Sequence, residues 1–300
     1  MGTVADFLVR RMTRDDAPEV ERLTDEAYHD VGLRTLRAGR PAPARRTPEH
    51  AARWQRRLEH LLRTDPGGCW VAVSGTGPDV LGAAVSLRRD LTWILSSFAV
   101  RPATQGRGVG RQLLDAALTH GRGCLRGMVA SSQDPAAARR YRLAGFTLHP
   151  AMVLRGRVPR SVLPVVERVR EGSLGDRDLL DSVDRRVRDS AHGVDHEVLL
   201  EGHRLVVVDR STGSGYAYVP PAGGASLLAA TNRRTATDLL WEALAASSPE
   251  VAVSIDHVTA VNEWAVDVGL ASRLELWSEG YLALRGMRPP APYLHNGGLL

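Results

Sequence analysis

Apolar positions first mark a strand ending at Val9 to Met12, and then recur at Ala17, Val20, Leu23 and Ala27, a helical spacing that Thr13 is placed to cap. A Pro/Arg/Ala stretch around residues 37 to 48 reads as loop. Beyond it, AARWQRRLEHLLR sets Trp54, Leu58, Leu61 and Leu62 on one face of a second helix. Strands are predicted at Cys69 to Ser74, Val80 to Leu87 and Leu91 to Val100, broken by Ser74-Gly75-Thr76-Gly77-Pro78 and by Arg88-Arg89-Asp90. Turns this short predict antiparallel neighbours. A helix follows at Val109 to His120, striped by Val109, Leu113, Leu114, Ala117 and Leu118. A strand at Leu125 to Ala130, a helix at Pro135 to Ala144 and a strand at Phe146 to Leu154 complete an α/β domain of mixed sheet.

The second half repeats that order. Val165 to Arg170 is strand-like and Asp176 to Arg188 helical; Arg204 to Asp209, Gly215 to Val219 and Ser226 to Ala230 are strands. Thr235 to Ala246 is helical, Val251 to His257 a strand, Asn262 to Val268 helical, and Leu274 to Leu284 holds a closing strand. RGRVPRSVLP, with two prolines among charges, sets the boundary, giving domains 1–157 and 158–300. The tail RPPAPYLHNGGLL is irregular, and either docks back through Tyr293 and Leu294 or stays loose.

Composition narrows the class. No apolar run is long enough to span a bilayer, and MGTVADFLVRR lacks the basic-then-apolar order of a secretion signal, so a cytoplasmic location without membrane contact is expected. Cys69 and Cys124 form neither a disulfide framework nor a CxxC knuckle and read as small buried hydrophobes. All 39 basic residues are arginine, a coding bias of GC-rich genomes, which weakens the basic pI as a sign of nucleic-acid binding. With no recognition helix or aromatic stacking array in view, nucleic acid is not an expected partner. Charge is uneven: residues 1–157 carry 25 arginines and 15 acids, residues 158–300 carry 14 and 19.

Between an apolar strand and an apolar-striped helix lies Gln105-Gly106-Arg107-Gly108-Val109-Gly110. A nucleotide P-loop would need GK[ST], but Arg111 and Gln112 follow Gly110. A dinucleotide fingerprint would need GxGxxG in a βαβ unit, whereas the spacing here is GxGxG after antiparallel strands. A third reading is a pyrophosphate cradle for coenzyme A, in which successive N–H groups and a helix N-terminus face diphosphate oxygens and a Cβ would hold the phosphates away.

AVRPATQGRGVGRQLL resembles motif A of the GNAT superfamily of acyl-CoA N-acyltransferases, with Gln105, Gly108 and Gly110 at its [QR]xxGx[GA] positions. Downstream, Asp134, Ala137, Tyr141, Gly145 and Phe146 fall at the spacings of that superfamily's NxxAxxxYxxxGF pattern, aspartate replacing asparagine. The resemblance covers residues 7 to 155. With the repeat, it implies a tandem GNAT protein of actinobacterial type: two domains, each a mixed, mostly antiparallel twisted sheet flanked by helices, with a V-shaped splay between the fourth and fifth strands.

The resemblance also implies chemistry. The pantetheine arm of acetyl-CoA, the acyl donor, would enter the splay like an added strand against Phe98, Ala99 and Val100, with the Val100 N–H as oxyanion donor. Gln105, Gly106, Arg107, Gly108, Val109, Gly110 and Arg111 would hold the diphosphate, Asp134 and Ala137 belong to the later motif, and Tyr141 would be the general acid that protonates the departing thiolate. Many family members place a glutamate on the fourth strand as base. Leu91 to Val100 has no carboxylate, leaving Ser96 or Ser97 as candidates to hold a relay water. The nine arginines between Arg34 and Arg63 read as a solvated helix face, with an acidic acceptor as the other reading.

In the second half AATNRRTATDLLWEAL has no glycine at the cradle position, Asn262 and Ala265 keep part of the later motif, and no tyrosine stands at the general-acid spacing. A degenerate repeat that shapes the acceptor site is expected there. His192, His196 and His203 in HGVDHEVLLEGH invite a metal reading, but Gly193 occupies the position where a zincin needs glutamate, so structural or surface histidines and no metal are expected. The expected activity is acetyl transfer to a primary amine, of a small molecule or of a peptide or protein, by direct attack in a ternary complex. The alternative is a non-catalytic acyl-CoA-binding or regulatory protein. Oligomeric state is not legible, and a homodimer stays open.

Overall fold

The computed structural model describes residues 7–300. It divides into two compact units, the first containing the chain up to Gly127 together with Asp134–Arg140, the second Met128–Gln133 and Tyr141–Leu300.

In the first unit, β1 (Phe7–Arg11), β2 (Cys69–Ser74), β3 (Val80–Arg89) and β4 (Thr92–Val100) form an antiparallel meander in that order. Asp16 accepts the backbone N–H of Thr13 at 2.8 Å, closing the turn that feeds α1 (Ala17–Arg34). The predicted Val20, Leu23 and Ala27 stripe is buried against the sheet. Thr47 caps α2 (Pro48–Thr64), accepting from the His50 N–H, and Trp54, Leu58 and Leu61 face inward while Leu62 is half-buried. Asp90, in the left-handed region at φ 46°, turns β3 into β4. α3 (Val109–His120) then packs on the sheet through Leu113, Leu114 and Ala117, each leucine contributing roughly 1.5–3 kcal/mol of burial. The buried Trp93 of β4 donates Nε1–H to the Ala117 carbonyl at 3.1 Å, fixing the height of α3 on the strand.

β5 (Arg126–Ser131), α4 (Pro135–Leu143) and β6 (Thr147–Gly156) follow in the chain. In the second unit, the strand at residues 128–131 lies beside β12 (Glu275–Arg285), which pairs antiparallel with β6, which in turn pairs antiparallel with β11 (Val253–Thr259). A second sheet runs β13 (Tyr293–Leu294), β10 (Leu227–Ala230), β9 (Gly213–Val219), β8 (Arg204–Arg210), β7 (Arg170–Glu171). Helices α5 (Arg177–Arg188), α6 (Asp195–Leu200), α7 (Arg233–Ala245) and α8 (Glu263–Ala271) complete this unit. Its core joins Leu154 and Val158 to Leu239, Leu240, Ile255, Ala265 and Leu274.

The spatial division does not follow the 157/158 boundary expected from the Pro-rich linker. β6 precedes that linker, yet its Leu154 stands opposite both Leu276 of β12 and Ile255 of β11, so its apolar side chains complete the core of the later residues. A linker marks where the backbone turns, whereas the contact boundary follows where side chains are buried. Other departures are local. Of the predicted Val165 to Arg170 strand only Arg170 pairs, in a two-residue strand with Glu171, and Val165 is exposed. Cys69 is buried as expected, while Cys124 is half-buried. No helix among the described residues is long and apolar enough to cross a membrane.

Candidate functional site

β4 leads through a single 3-10 turn, Pro102–Thr104, into the glycine run. Gly106 and Gly108 take φ of +81° and +89°, a conformation that L side chains rarely adopt, and a Cβ built on either meets nothing within 4 Å. The backbone there faces open space. From Gly106 to Gly110 no N–H has a protein acceptor among the described residues, and Gly108 is the N-cap of the twelve-residue α3. Consecutive unpaired N–H groups at a helix N-terminus form a concentrated positive partial charge that suits a phosphate anion. At Gly110 a Cβ would make ordinary contact, 3.4 Å from both Phe98 Cζ and Val100 Cγ2. Arg107 and Arg111 are exposed beside the loop, Arg111 reaching Asp115 only at 3.8 Å.

The Gln105 amide donates to the Val100 carbonyl at 3.1 Å and ties the loop back to the strand end. Arg101 donates its N–H to Leu81 of the β3 side at 2.8 Å. Strand alternation then turns the N–H groups of Val100 and Phe98 away from β3, with Ala99 between them facing it. Phe98 shows this directly, since its N–H donates to the Tyr28 hydroxyl at 3.3 Å. The same hydroxyl lies 2.9 Å from Ser97 Oγ. Ser96 is the extra residue of a β-bulge, between Leu95 opposite Ser86 and Ser97 opposite Val85, and its hydroxyl is buried without a partner. Of the two candidate serines, Ser97 is thus engaged by Tyr28 and Ser96 is sealed in the strand.

Asp134 Oδ1 accepts the N–H groups of Ala136 and Ala137 at 2.7 and 3.2 Å and starts α4, while its Oδ2 meets Arg34 at 3.2 Å. The aspartate that replaces the motif asparagine therefore works as a helix cap with an ion-pair partner. Tyr141, in the second unit, is buried, and its ring meets Phe146 edge-on at 6.4 Å. The Phe146 N–H closes on the Tyr141 carbonyl at 3.0 Å, and the Arg285 guanidinium lies over the Phe146 ring, 5.0 Å from its centroid. Several arginines of the 34 to 63 region have partners: Arg45 on Asp25, Arg46 on Glu21, and Arg57 over Trp54, where burial holds its guanidinium down to about 10.

Residues 33–146 match the acetyltransferase (GNAT) family. The chain carries a GNAT-family domain. Over 122 residues it is 35% identical to mycothiol acetyltransferase of Clavibacter michiganensis subsp. michiganensis, a match spanning 41% of this chain and 38% of that relative's length. Among solved structures, a Pyrococcus horikoshii protein described as an acetyltransferase superposes with a TM-score of 0.74, covering 100% of this chain and 97% of its own at 16% identity. A GCN5-related N-acetyltransferase of Kribbella flavida gives 0.59, covering 93% and 70% at 15% identity. These two similarities establish the mixed α/β GNAT fold.

Against this GNAT frame the second half shows something the sequence pattern did not reveal. β10 and β11 start side by side, Ala225 bridging Ile255 in parallel, and β13 pairs antiparallel with β10, Leu228 opposite Leu294 and Ala229 opposite Tyr293. The docked alternative for the tail is the one realised. The free edge that the resemblance gives to a pantetheine arm on β4 is, on β10, taken by the chain's own C-terminal residues. Asn262 anchors them: its Nδ2 donates to Pro290 O and its Oδ1 accepts the Tyr293 N–H, at 3.1 and 3.0 Å. Asn232, at the sequence position that corresponds to the glycine run, caps α7 by accepting the Thr235 N–H at 2.9 Å. Tyr28 at the β4 edge and the strand pairing of the tail were not read from the sequence. Tyr28 is one aromatic on an amphipathic helix, and Tyr293–Leu294 is an apolar pair too short to read as a strand.

Proposed function

We propose that the chain is an acetyl-CoA-dependent N-acetyltransferase that moves an acetyl group to a primary amine by direct attack in a ternary complex. The observation that carries this reading is the loop from Gly106 to Gly110, with its run of unpaired N–H groups at the start of α3 and nothing where the Cβ atoms of residues 106 and 108 would stand. Those N–H groups, with Arg107 and Arg111 at the rim, would hold the diphosphate of coenzyme A. Acetyl-CoA supplies an acyl group activated as a thioester. The Val100 N–H, turned away from β3, would stabilise the charge growing on the thioester oxygen, and Tyr141 would return a proton to the leaving sulfur. The name of the Clavibacter relative supports acetyl as the transferred group. The second half, its β10 edge taken by β13, acts in this reading as a degenerate GNAT-like domain.

Calorimetric titration of acetyl-CoA into wild type and Gly108→Trp, followed by thiol release over an amine panel, tests the reading. One site per chain, lost in the variant, with thiol released in the presence of an amine, is the expected result. Binding without turnover on any amine would turn the protein into an acyl-CoA-binding module, and no binding would overturn the reading.

A further inference from the structure

The histidine cluster of the second unit is not used by that function, and its geometry exceeds a packing role. Asp181 and Asp184 stand three residues apart on one face of α5. Gly193, at φ +59°, folds the following loop so that His192 and His196 reach back to them. Asp184 Oδ2 lies 2.7 Å from His192 Nδ1 and 3.6 Å from His196 Nε2, and Asp181 Oδ1 lies 3.2 Å from that same Nε2. The ligand atoms of Asp184, His192 and His196 all fall within 4.8 Å of one another, and all three residues are fully buried.

We propose that Asp184, His192 and His196 form a three-ligand N2O site for a divalent transition-metal ion of the zinc type, with Asp181 at its rim beside His196, pinning the 192–196 loop to α5. Ligands about 2.1 Å from a tetrahedral ion stand about 3.4 Å apart, and the Asp184 contacts of 2.7 and 3.6 Å bracket that spacing. Imidazole nitrogen with carboxylate oxygen suits zinc and its first-row neighbours rather than calcium or magnesium. Three protein donors leave a fourth position, on the side of Asp181, for a water molecule.

Outer contacts support His196 and both carboxylates, while His192 Nε2 is buried without a partner. A metal-bound imidazole is oriented by a partner on its other nitrogen, and His196 Nδ1 lies 3.0 Å from the Tyr218 hydroxyl. Both carboxylates are themselves hydrogen-bonded: Tyr216 donates to Asp184 Oδ1 at 2.5 Å, and the N–H groups of His192 and Gly193 donate to Asp184 Oδ2 and Asp181 Oδ1 at 3.1 and 2.9 Å. Arg188, whose side chain donates to the Ser190 and Ala191 carbonyls, is fully buried with the cluster and offsets one of its two carboxylate charges. Asp181, with 13% of its side chain exposed, is the point of entry.

The test uses the full chain stripped with a chelator and titrated with Co2+, a spectroscopic stand-in for Zn2+, under visible absorption. The expected result is an intense tetrahedral d–d band saturating at one ion per chain, bleached by Zn2+, with Zn2+ raising the unfolding midpoint. His196→Gln should abolish the band, Asp181→Asn should weaken Co2+ binding about tenfold or more, in the range that disturbing a metal site brings, and His203→Gln, outside the cluster, should leave it intact. Should His196→Gln fail to fold, the partly exposed Asp181→Asn still decides. A wild type with neither band nor midpoint shift, or a band that survives His196→Gln, would overturn the site and leave a hydrogen-bonded clamp.

Discussion

The Pro292 carbonyl accepts the backbone N–H of Ala230 at 3.2 Å, so the last residue of β10 is satisfied by the chain's own C-terminal segment. Val100, last in β4, has no such covering strand among the described residues of its own unit: its carbonyl takes the Gln105 side chain and its N–H turns away from β3. The two halves thus share a strand order and differ in what lies on the same edge.

Asn262 is the lock on that difference. Its side chain joins Thr259 Oγ1, Trp264 Nε1, Pro290 O and Tyr293 N, all within 3.1 Å and buried. Asn262→Ala strands several buried polar groups and should cost roughly 2–4 kcal/mol. Chemical denaturation would show the loss, and acetyl-CoA titration should show unchanged affinity. An unchanged denaturation midpoint would mean that Asn262 does not hold the tail.

The cradle glycines predict a different pairing of effects. Gly108→Ala and Gly106→Ala place a Cβ at φ near +85°, costing roughly 1–2 kcal/mol of stability each. Because that Cβ would project into the space assigned to the diphosphate, acetyl-CoA affinity should fall by more than the stability loss explains. Isothermal titration beside thermal unfolding separates the two, and equal affinity in wild type and both alanine variants would remove the cradle from its role.

Tyr141→Phe keeps the ring that meets Phe146 edge-on and removes only the hydroxyl. If the phenol protonates the departing thiolate, kcat should drop about a hundredfold, with the acetyl-CoA Kd and the unfolding midpoint nearly unchanged. An unaltered kcat across the pH range would assign the residue to packing.

These contrasts explain what the sequence could show. β2 and α3 fall at their predicted bounds because local periodicity and turn chemistry agree there. The glycine run was legible since positive φ leaves a residue-type trace. β6 is the counterexample: its apolar pattern marks a strand, but nothing local says that its neighbours are β11 and β12, about a hundred residues or more further along the chain. Asp134 and Tyr28 were obscure for a related reason. A capping aspartate and a ligand-binding one look alike in sequence, and only the partners, Ala136 N–H and Arg34 in one case and Phe98 N–H in the other, tell them apart.

A last prediction concerns pH. His257 Nδ1 lies 3.2 Å from Glu279, whose carboxylate also accepts the His257 N–H at 2.9 Å. Burial would push the imidazole down, but the hydrogen bond and charge of Glu279, helped by Asp256 and opposed by Arg155, raise it. Burial likewise works against the Glu279 charge, and His257 nonetheless brings it down to about 2. His295, stacked on His257 at 4.4 Å, is held neutral by burial and by that neighbouring charge. A raised histidine stabilises fully below its unfolded pKa of about 6.5 and loses that contribution as pH rises through the folded value. A depressed glutamate stabilises above about 4.3 and loses its contribution as pH falls toward the folded value. The difference in unfolding midpoint between wild type and Glu279→Gln should therefore be greatest between about pH 4.3 and 6.5 and shrink on both sides. Thermal unfolding of both proteins across that range measures it, and a difference that stays flat with pH would show that the pair is not charged in the folded state.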